Sequence, residues 1–328
     1  MSATVLISSA GRRVGLLNCF RDSLRGAGRI ATIDCSATAP AARSADSTWL
    51  VPRCNSPEFT GDVLSLCVRE KIVVVIPTID PELPVYAAAA QRFQSAGTTV
   101  CISSAAAVNI GADKTVTNAW LVRNGFPAVR QSSPEEVVRS KDSWPLPVIA
   151  KPSGGSASIG VRLIDNWEDL EILAATKSDY VVEQRAVGRE FTLNAYVSRE
   201  GRCVCVVPHW RVEVRAGEVS KGITTKDPRL MSLGRRIAEA LPGAWGPLNI
   251  QCFMDASGDI RVFEINTRFG GGYPLAHHAG ATFTSWILEE LAGRALRWFD
   301  GWQDNLAMLR FDDAVYLPGA EIGLTGHA

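Results

Sequence analysis

The first hundred residues constrain the fold most. Four short runs, TVLIS (4–8), RIATID (29–34), IVVVIP (72–77) and TTVCIS (98–103), are apolar almost throughout. Between them, VGLLNCFRDSL, PEFTGDVLSLCVRE and PELPVYAAAAQRF carry apolar residues at helical spacing. Strands that are apolar on both faces need cover on both faces, and strand–helix–strand crossovers provide it. Residues 1–112 therefore read as a doubly wound α/β domain with a parallel sheet. Its first turn, SSAGRRVG, lacks the G-x-G-x-x-G of a dinucleotide site although Asp34 follows about 20 residues on, and its two arginines suit an anion better than a close pyrophosphate.

After residue 113 the pattern changes. DKTVTNAWLVRNG reads as a helix with a glycine stop, LPVIAKPSGGSASIGVRLI as strand, glycine-rich loop and strand, and NWEDLEILAAT as a helix. DYVVEQRAVGREFTLNAYV reads as two strands around a short turn. From about 190 to 266, long alternating runs predict an antiparallel sheet, with a hairpin turned by DASGD and one intervening helix, PRLMSLGRRIAEAL. TSWILEELAGRALRWF (284–299) reads as a helix throughout. The expected organisation is three units: 1–112, 113–188 and 189–328.

Lys plus Arg and Asp plus Glu both number 34, so no global charge draws the chain to nucleic acid or to an acidic membrane. No run approaches the roughly 18 apolar residues of a membrane helix, and the start lacks the basic region and apolar core of a signal peptide. A cytoplasmic location is the expectation. The eight cysteines form no C-x-x-C and no zinc spacing with the four histidines, and most lie in apolar runs as buried free thiols would.

Three stretches carry chemistry. In IAKPSGGSASIGV (149–161), Lys151 ends a strand and a small-residue loop follows. Backbone N–H groups there can approach phosphate oxygens, and the hydroxyls of Ser156 and Ser158 add donors. An exposed hairpin fits the same composition. VVEQRAVGRE (181–190) places Glu183 and Glu190 on either side of a turn. Backbone groups around Ala186 could read adenine, with Glu183 on its amino group and Glu190 on ribose hydroxyls, or both glutamates could be ordinary exposed ones. In FEINTRFGGGYP (263–274), Glu264, Asn266 and Arg268 alternate, so an extended chain points all three one way and turns Phe263 and Ile265 into a core.

Lys114 in DKTVTNAWL, AKPSGGSASIGV, VEQRAVGRE and NIQCFMDASGDIRVFEINTRFGGG together resemble, in order and spacing, the ATP-grasp superfamily. More narrowly, they resemble the short, single-module proteins similar to the carbamoyl phosphate synthase large subunit. LISSAGRRVGLL, IDCSATAPAARSAD and PTIDPEL resemble the pre-ATP-grasp domain of that group. The resemblance implies a pre-ATP-grasp parallel-sheet domain, then a two-lobed ATP-grasp α+β fold whose lid is 113–188. It implies that Lys114 and Lys151 bind ATP phosphates, and that Glu183 and Glu190 hold adenine and ribose. It further implies that Gln251, Glu264 and Asn266 ligate Mg2+, with Mn2+ as a substitute, and that Arg268 neutralises the transferred phosphoryl group. Gln251 departs from the acidic residue many ATP-grasp ligases place there. Lys226, with Arg215 and Lys221, either adds charge near the γ-phosphate in this reading or belongs to a solvated loop. Arg12, Arg13 and Glu82 face the substrate from the first domain. Gly271 and Gly272 let a substrate carboxylate lie against bare backbone, and His277 and His278 either touch the acceptor or pack locally.

The implied activity is an ADP-forming carboxylate–amine ligase, taking a small carboxylate and an amine as substrates, and a homodimer is compatible with it. Phosphorylation of bicarbonate or carbamate, as in carbamoyl phosphate synthesis, is the alternative. A nucleotide-binding module without turnover is the reading from another class.

Overall fold

A computed structural model of the chain describes residues 3–155 and 159–322. Ser156 and Ser158, expected among the phosphate donors, lie outside the described residues.

The first domain runs β1 (Ala3–Ser8), α1 (Val14–Leu24), β2 (Gly28–Asp34), β3 (Ser47–Leu50), α2 (Phe59–Arg69), β4 (Ile72–Ile76), α3 (Leu83–Ser95) and β5 (Thr99–Val100). All five strands are parallel in the order β3-β2-β1-β4-β5. Edge strand β3 was not legible as an apolar run because its residues alternate between half-buried and exposed. One sheet face packs Leu6, Ala31 and Ile33 against α2 and α3. The other packs Val5 and Ile7 against α1 and, unexpectedly, against Phe269, Tyr273, Phe283 and Ile287 from far down the chain. The first and last expected units thus share one core.

The second lobe follows α4 (Ala105–Ala112) and α5 (Lys114–Arg123). It holds β6 (Gln131–Ser132), α6 (Pro134–Arg139), β7 (Val148–Pro152), β8 (Arg162–Ile164), α7 (Trp167–Thr176) and β9 (Tyr180–Gln184), with sheet order β6-β9-β7-β8. The third unit holds β10 (Arg189–Val197), β11 (Cys203–Arg215), β12 (Glu218–Thr224), α8 (Pro228–Ala240), β13 (Gly246–Met254), β14 (Ile260–Asn266), α9 (Tyr273–His278), α10 (Phe283–Leu291) and β15 (Ala307–Leu309). Its six strands are ordered β14-β13-β10-β11-β12-β15, all antiparallel. The strands on either side of residues 185–188 therefore belong to different sheets, and that segment connects the two lobes.

Period-2 alternation decides where chemistry can sit on the large sheet. Phe191, Leu193, Leu248, Ile250, Val262 and Ile265 face a core built with α4, α5 and α8. The residues between them, from Glu190 and Thr192 to Gln251, Glu264 and Asn266, share the opposite face, which looks toward the smaller sheet. Two expectations are corrected. Phe263 is not in the core: Gln251 pairs with Glu264 but Cys252 with Val262, so Phe263 is the extra residue of a β-bulge and turns into the cleft. The helix expected over 284–299 ends at Leu291, where Gly293 takes φ +75° and the chain leaves along β11, Phe299 N–H donating to the Val204 carbonyl. No helix among the described residues is long and apolar enough to cross a membrane.

Candidate functional site

The polar face of the six-stranded sheet and the underside of the four-stranded sheet enclose a cleft of about 580 Å³. That size suits a nucleotide-sized ligand. Lys114, Lys151, Glu183, Ala186, Glu190, Gln251, Glu264, Asn266, Arg268, Gly271 and Gly272 all line it, although their sequence positions span nearly 160 residues.

Its charged groups are held by one another. Lys151, at the end of β7, meets Glu183 of β9 at 2.7 Å, both side chains almost fully buried. Glu183 also accepts from Gln131 at 2.9 Å, so both its carboxylate oxygens have partners. Lys151 Nζ sits 5.2 Å from the centre of the Phe263 ring that the bulge turns inward. Lys114, the first residue of α5, donates to the carbonyls of Gly154 and Gly155 at 3.4 and 3.0 Å. It thereby holds the glycine loop, and burial lowers its ammonium pKa.

On the opposite wall, Glu190 meets Arg211 at 3.0 Å. Burial raises the Glu190 carboxyl above the usual range and Arg211 opposes that shift. Arg211 donates to Gln251 Oε1 at 2.9 Å, and Gln251 Nε2 donates to Glu264 at 2.9 Å. Asn249 stands opposite Asn266 in the strand register, and its buried Oδ1 has no hydrogen-bond partner. One carboxylate with neighbouring amide oxygens is a donor set for a hard cation that shares its shell with phosphate. The orphaned Asn249 oxygen fits that use, because a buried acceptor left bare is costly. Gln251 already spends one lone pair on Arg211 and keeps the other.

Arg268 is not a free cation. Its Nε and Nη2 grip Asp80 of the first domain at 2.7 and 2.6 Å, and Nη1 donates to the Phe269 carbonyl. Arg211, Asn249 and Asp80 were not singled out from the sequence. Arg211 was readable as a charged residue inside the otherwise apolar run CVCVVPHWRV, in phase with His209. Nothing local marks Asp80, whose partner is 188 residues away.

Several expected residues lie elsewhere. Lys226 is not in the cleft: its ammonium donates to the Asp300 carbonyl at 2.7 Å and lies over Trp302, because the chain after α10 covers it. Glu82 is fully buried and faces no substrate. It accepts from Ser8, Ser9 and the backbone of Thr78 and Ile79, fastening the turns after β1 and β4 together. Arg215 and Lys221 both pair with Glu213. His277 is buried against Tyr273 and Thr284, a packing role. Gly271 and Gly272 do line the cleft, but the side of each where a Cβ would stand is filled by Glu218 and by Val219 with His209. At Gly272 close packing requires bare backbone, whereas at Gly271 the group in the way is the movable end of the Glu218 side chain.

Arg12 and His278 line a second cleft of about 750 Å³, continuous with the first through Arg13, Glu218, Gly270 and Gly271. At the passage, Glu218 meets Arg13 at 3.3 Å and Arg310 at 3.0 Å. Burial works to raise the Glu218 carboxyl, and the two arginines outweigh it, leaving it below the usual range.

A parallel-sheet domain followed by two sheets that clasp a charged cleft defines the class of protein, and sequence comparison agrees. Residues 5–101 match the family model described as "PylC-like, N-terminal domain", and residues 111–272 match that of the ATP-grasp domain. The chain carries an ATP-grasp domain behind a PylC-like N-terminal domain. It is 28% identical over 270 residues to the phosphoribosylamine–glycine ligase of Methanoregula boonei, covering 73% of this chain and 62% of that one. It is 30% identical over 217 residues to the D-alanine–D-alanine ligase of Corynebacterium glutamicum, covering 57% and 60%. The chain thus spans about 60% of the length of these two relatives. Among solved structures, the biotin carboxylase domain of Hydrogenobacter thermophilus 2-oxoglutarate carboxylase superposes with a TM-score of 0.74 at 18% identity, covering 94% of this chain and 73% of that one. The N5-carboxyaminoimidazole synthetase of Staphylococcus aureus, solved with ADP, gives 0.73 at 16%, covering 90% and 79%. At such identities the likeness is one of fold.

Proposed function

We propose that the chain is an ATP- and Mg2+-dependent carboxylate–amine ligase that forms ADP. The observation that carries the reading is the convergence on one cleft of Lys114 from the start of α5, Lys151 from the smaller sheet, Glu183 and Glu190 on either side of the connection between the sheets, and a carboxylate–amide set on the facing sheet. The ligase names of the curated relatives support it. In this reading Lys114 and Lys151 bind the phosphates, exchanging their present carbonyl and Glu183 partners for phosphate oxygens. Glu190 accepts from the ribose. Glu264 and Asn266, with Gln251 and Asn249 beside them, hold the cation. Bound there, Mg2+ would neutralise charge on the terminal phosphates. Arg268, fixed by Asp80 and by the Phe269 carbonyl, keeps one Nη1–H for the charge that develops at this wall. The second cleft, with Arg12, Arg13 and Arg310, receives the small carboxylate and the amine. A carboxylate oxygen attacks the γ-phosphorus and ADP departs. The amine then attacks the acyl carbon, and phosphate leaves with a proton from the amine released to solvent.

The test is ADP release over a panel of small carboxylates crossed with amino acids, with bicarbonate as one member. Release that needs both a carboxylate and an amine is the expected result. Release with bicarbonate alone would replace the ligase reading by the carbamoyl-phosphate-like one. Nucleotide binding without release under any pair would leave a binding module.

A further inference from the structure

We propose that Arg211 is a positioning residue that couples the ribose side of the cleft to its metal side, one guanidinium pairing with Glu190 while it hydrogen-bonds Gln251. The inference rests on the nucleotide reading above and adds a residue to it. A guanidinium carries its donors in a rigid plane, so groups bound to different edges are fixed relative to one another. Arg211 Nε meets Glu190 at 3.0 Å, Nη1 donates to Gln251 Oε1 at 2.9 Å, and Nη2 donates to the Gly217 carbonyl at 2.9 Å. The Nε contact is an ion pair without hydrogen-bond alignment, which leaves the other two edges to set the angle. The side chain is 7% exposed, so water cannot readily take its place.

The route crosses the sheet. Arg211 rises from β11, lies over Thr192 of β10, and reaches Gln251 on β13, which in turn holds Glu264 on β14. Thr192 is small enough to be spanned. Gln251 cannot flip: arginine only donates and a carboxylate only accepts, so its oxygen must face Arg211 and its nitrogen Glu264. One cation thus sets both the carboxylate on the ribose side and the amide that orients the metal-side carboxylate. Its third edge pins the β11–β12 turn, whose next residue, Glu218, stands at the passage to the second cleft.

The experiment uses the full chain with Arg211→Met and Arg211→Lys. Calorimetry without metal measures affinity for ADP and for 2′,3′-dideoxy-ADP, and electron paramagnetic resonance measures Mn2+ binding to the protein–ADP complex. In Arg211→Met, ADP and Mn2+ affinity are each expected to fall about 10-fold, as loss of charge-assisted and outer-shell contacts does. The preference for ADP over its dideoxy analogue should shrink with them. Lysine keeps the charge without the fork, and a loss of about 3-fold or more in both affinities is expected. It carries the test if methionine does not fold. Either variant with an unchanged affinity on one arm would overturn the coupling. A wild-type protein that binds no ADP would instead remove the nucleotide reading itself.

Discussion

The two clefts meet at Gly270 and Gly271 yet are built differently. In the cleft between the sheets nearly every charge is tied to a neighbour: Lys151 to Glu183, Arg211 to Glu190 and Gln251, Gln251 to Glu264, Arg268 to Asp80. Asp80 and Arg268 apart, those residues stand on strands, where packing fixes their direction. The second cleft is walled by the turn before α1 and by residues 308–315, with exposed Asp312, Asp313 and Phe311. There Glu218, between Arg13 and Arg310, resembles the cross-linking of its neighbour, and Arg215 at the rim pairs with Glu213. The difference teaches where common and particular chemistry divide. A preorganised electrostatic site suits a step shared by a whole family, because fixed dipoles need no reorganisation as charge develops. A wall of loop and tail can vary its side chains at little cost to the fold.

The comparison breaks first at Lys151. If the inter-sheet cleft is cross-linked as described, Lys151→Met leaves Glu183 buried without its cation and costs about 3–5 kcal/mol of stability in chemical denaturation. Arg12→Met, in the second cleft, should cost almost nothing in the same measurement. Equal losses at the two positions would erase the distinction.

Glu264→Gln comes next. It keeps the shape of the pair with Gln251 and removes the one negative charge of the carboxylate–amide set. Turnover should fall about 100-fold or more, while the melting curve barely moves and ADP still binds without metal. An earlier melt with a normal rate per folded molecule would make Glu264 a structural carboxylate.

The glycines at the shared wall sharpen the contrast. A methyl group at Gly270 would overlap the buried amide of Asn249, whereas at Gly271 it would meet the carboxylate end of Glu218, which can swing away. Gly270→Ala should destabilise by about 1–3 kcal/mol and weaken Mn2+ binding. Gly271→Ala should melt nearly as wild type and shift KM for the acceptor while KM for the nucleotide stays. The opposite assignment of the two KM effects would contradict the division of labour between clefts.

What could be read from the sequence was whatever follows a local period. The four apolar runs of the first domain, the hairpin of LPVIAKPSGGSASIGVRLI and the one-sided display of Glu264 and Asn266 all depend on residues a few positions apart. Long-range partners were not legible. Arg211 gains its place from strands about 20 and 40 residues away, and Arg268 loses its freedom to Asp80 across 188 residues. Phe263 faces the cleft because a bulge interrupts the alternation that assigned it to the core. Glu82 and Lys226 carry charge that a site could use, but Glu82 is occupied by the backbone of the turn at Thr78 and Ile79 and Lys226 by the distant Asp300 carbonyl, which composition does not reveal.

The central claim is that the inter-sheet cleft transfers the terminal phosphate of ATP to a carboxylate. The most direct measurement follows oxygen. A productive carboxylate labelled with 18O is turned over with ATP and its amine, and the phosphorus products are analysed by mass. The account predicts ADP, with one 18O per inorganic phosphate, because the oxygen that attacked the γ-phosphorus leaves with it. Label in AMP, accompanied by pyrophosphate, would contradict it.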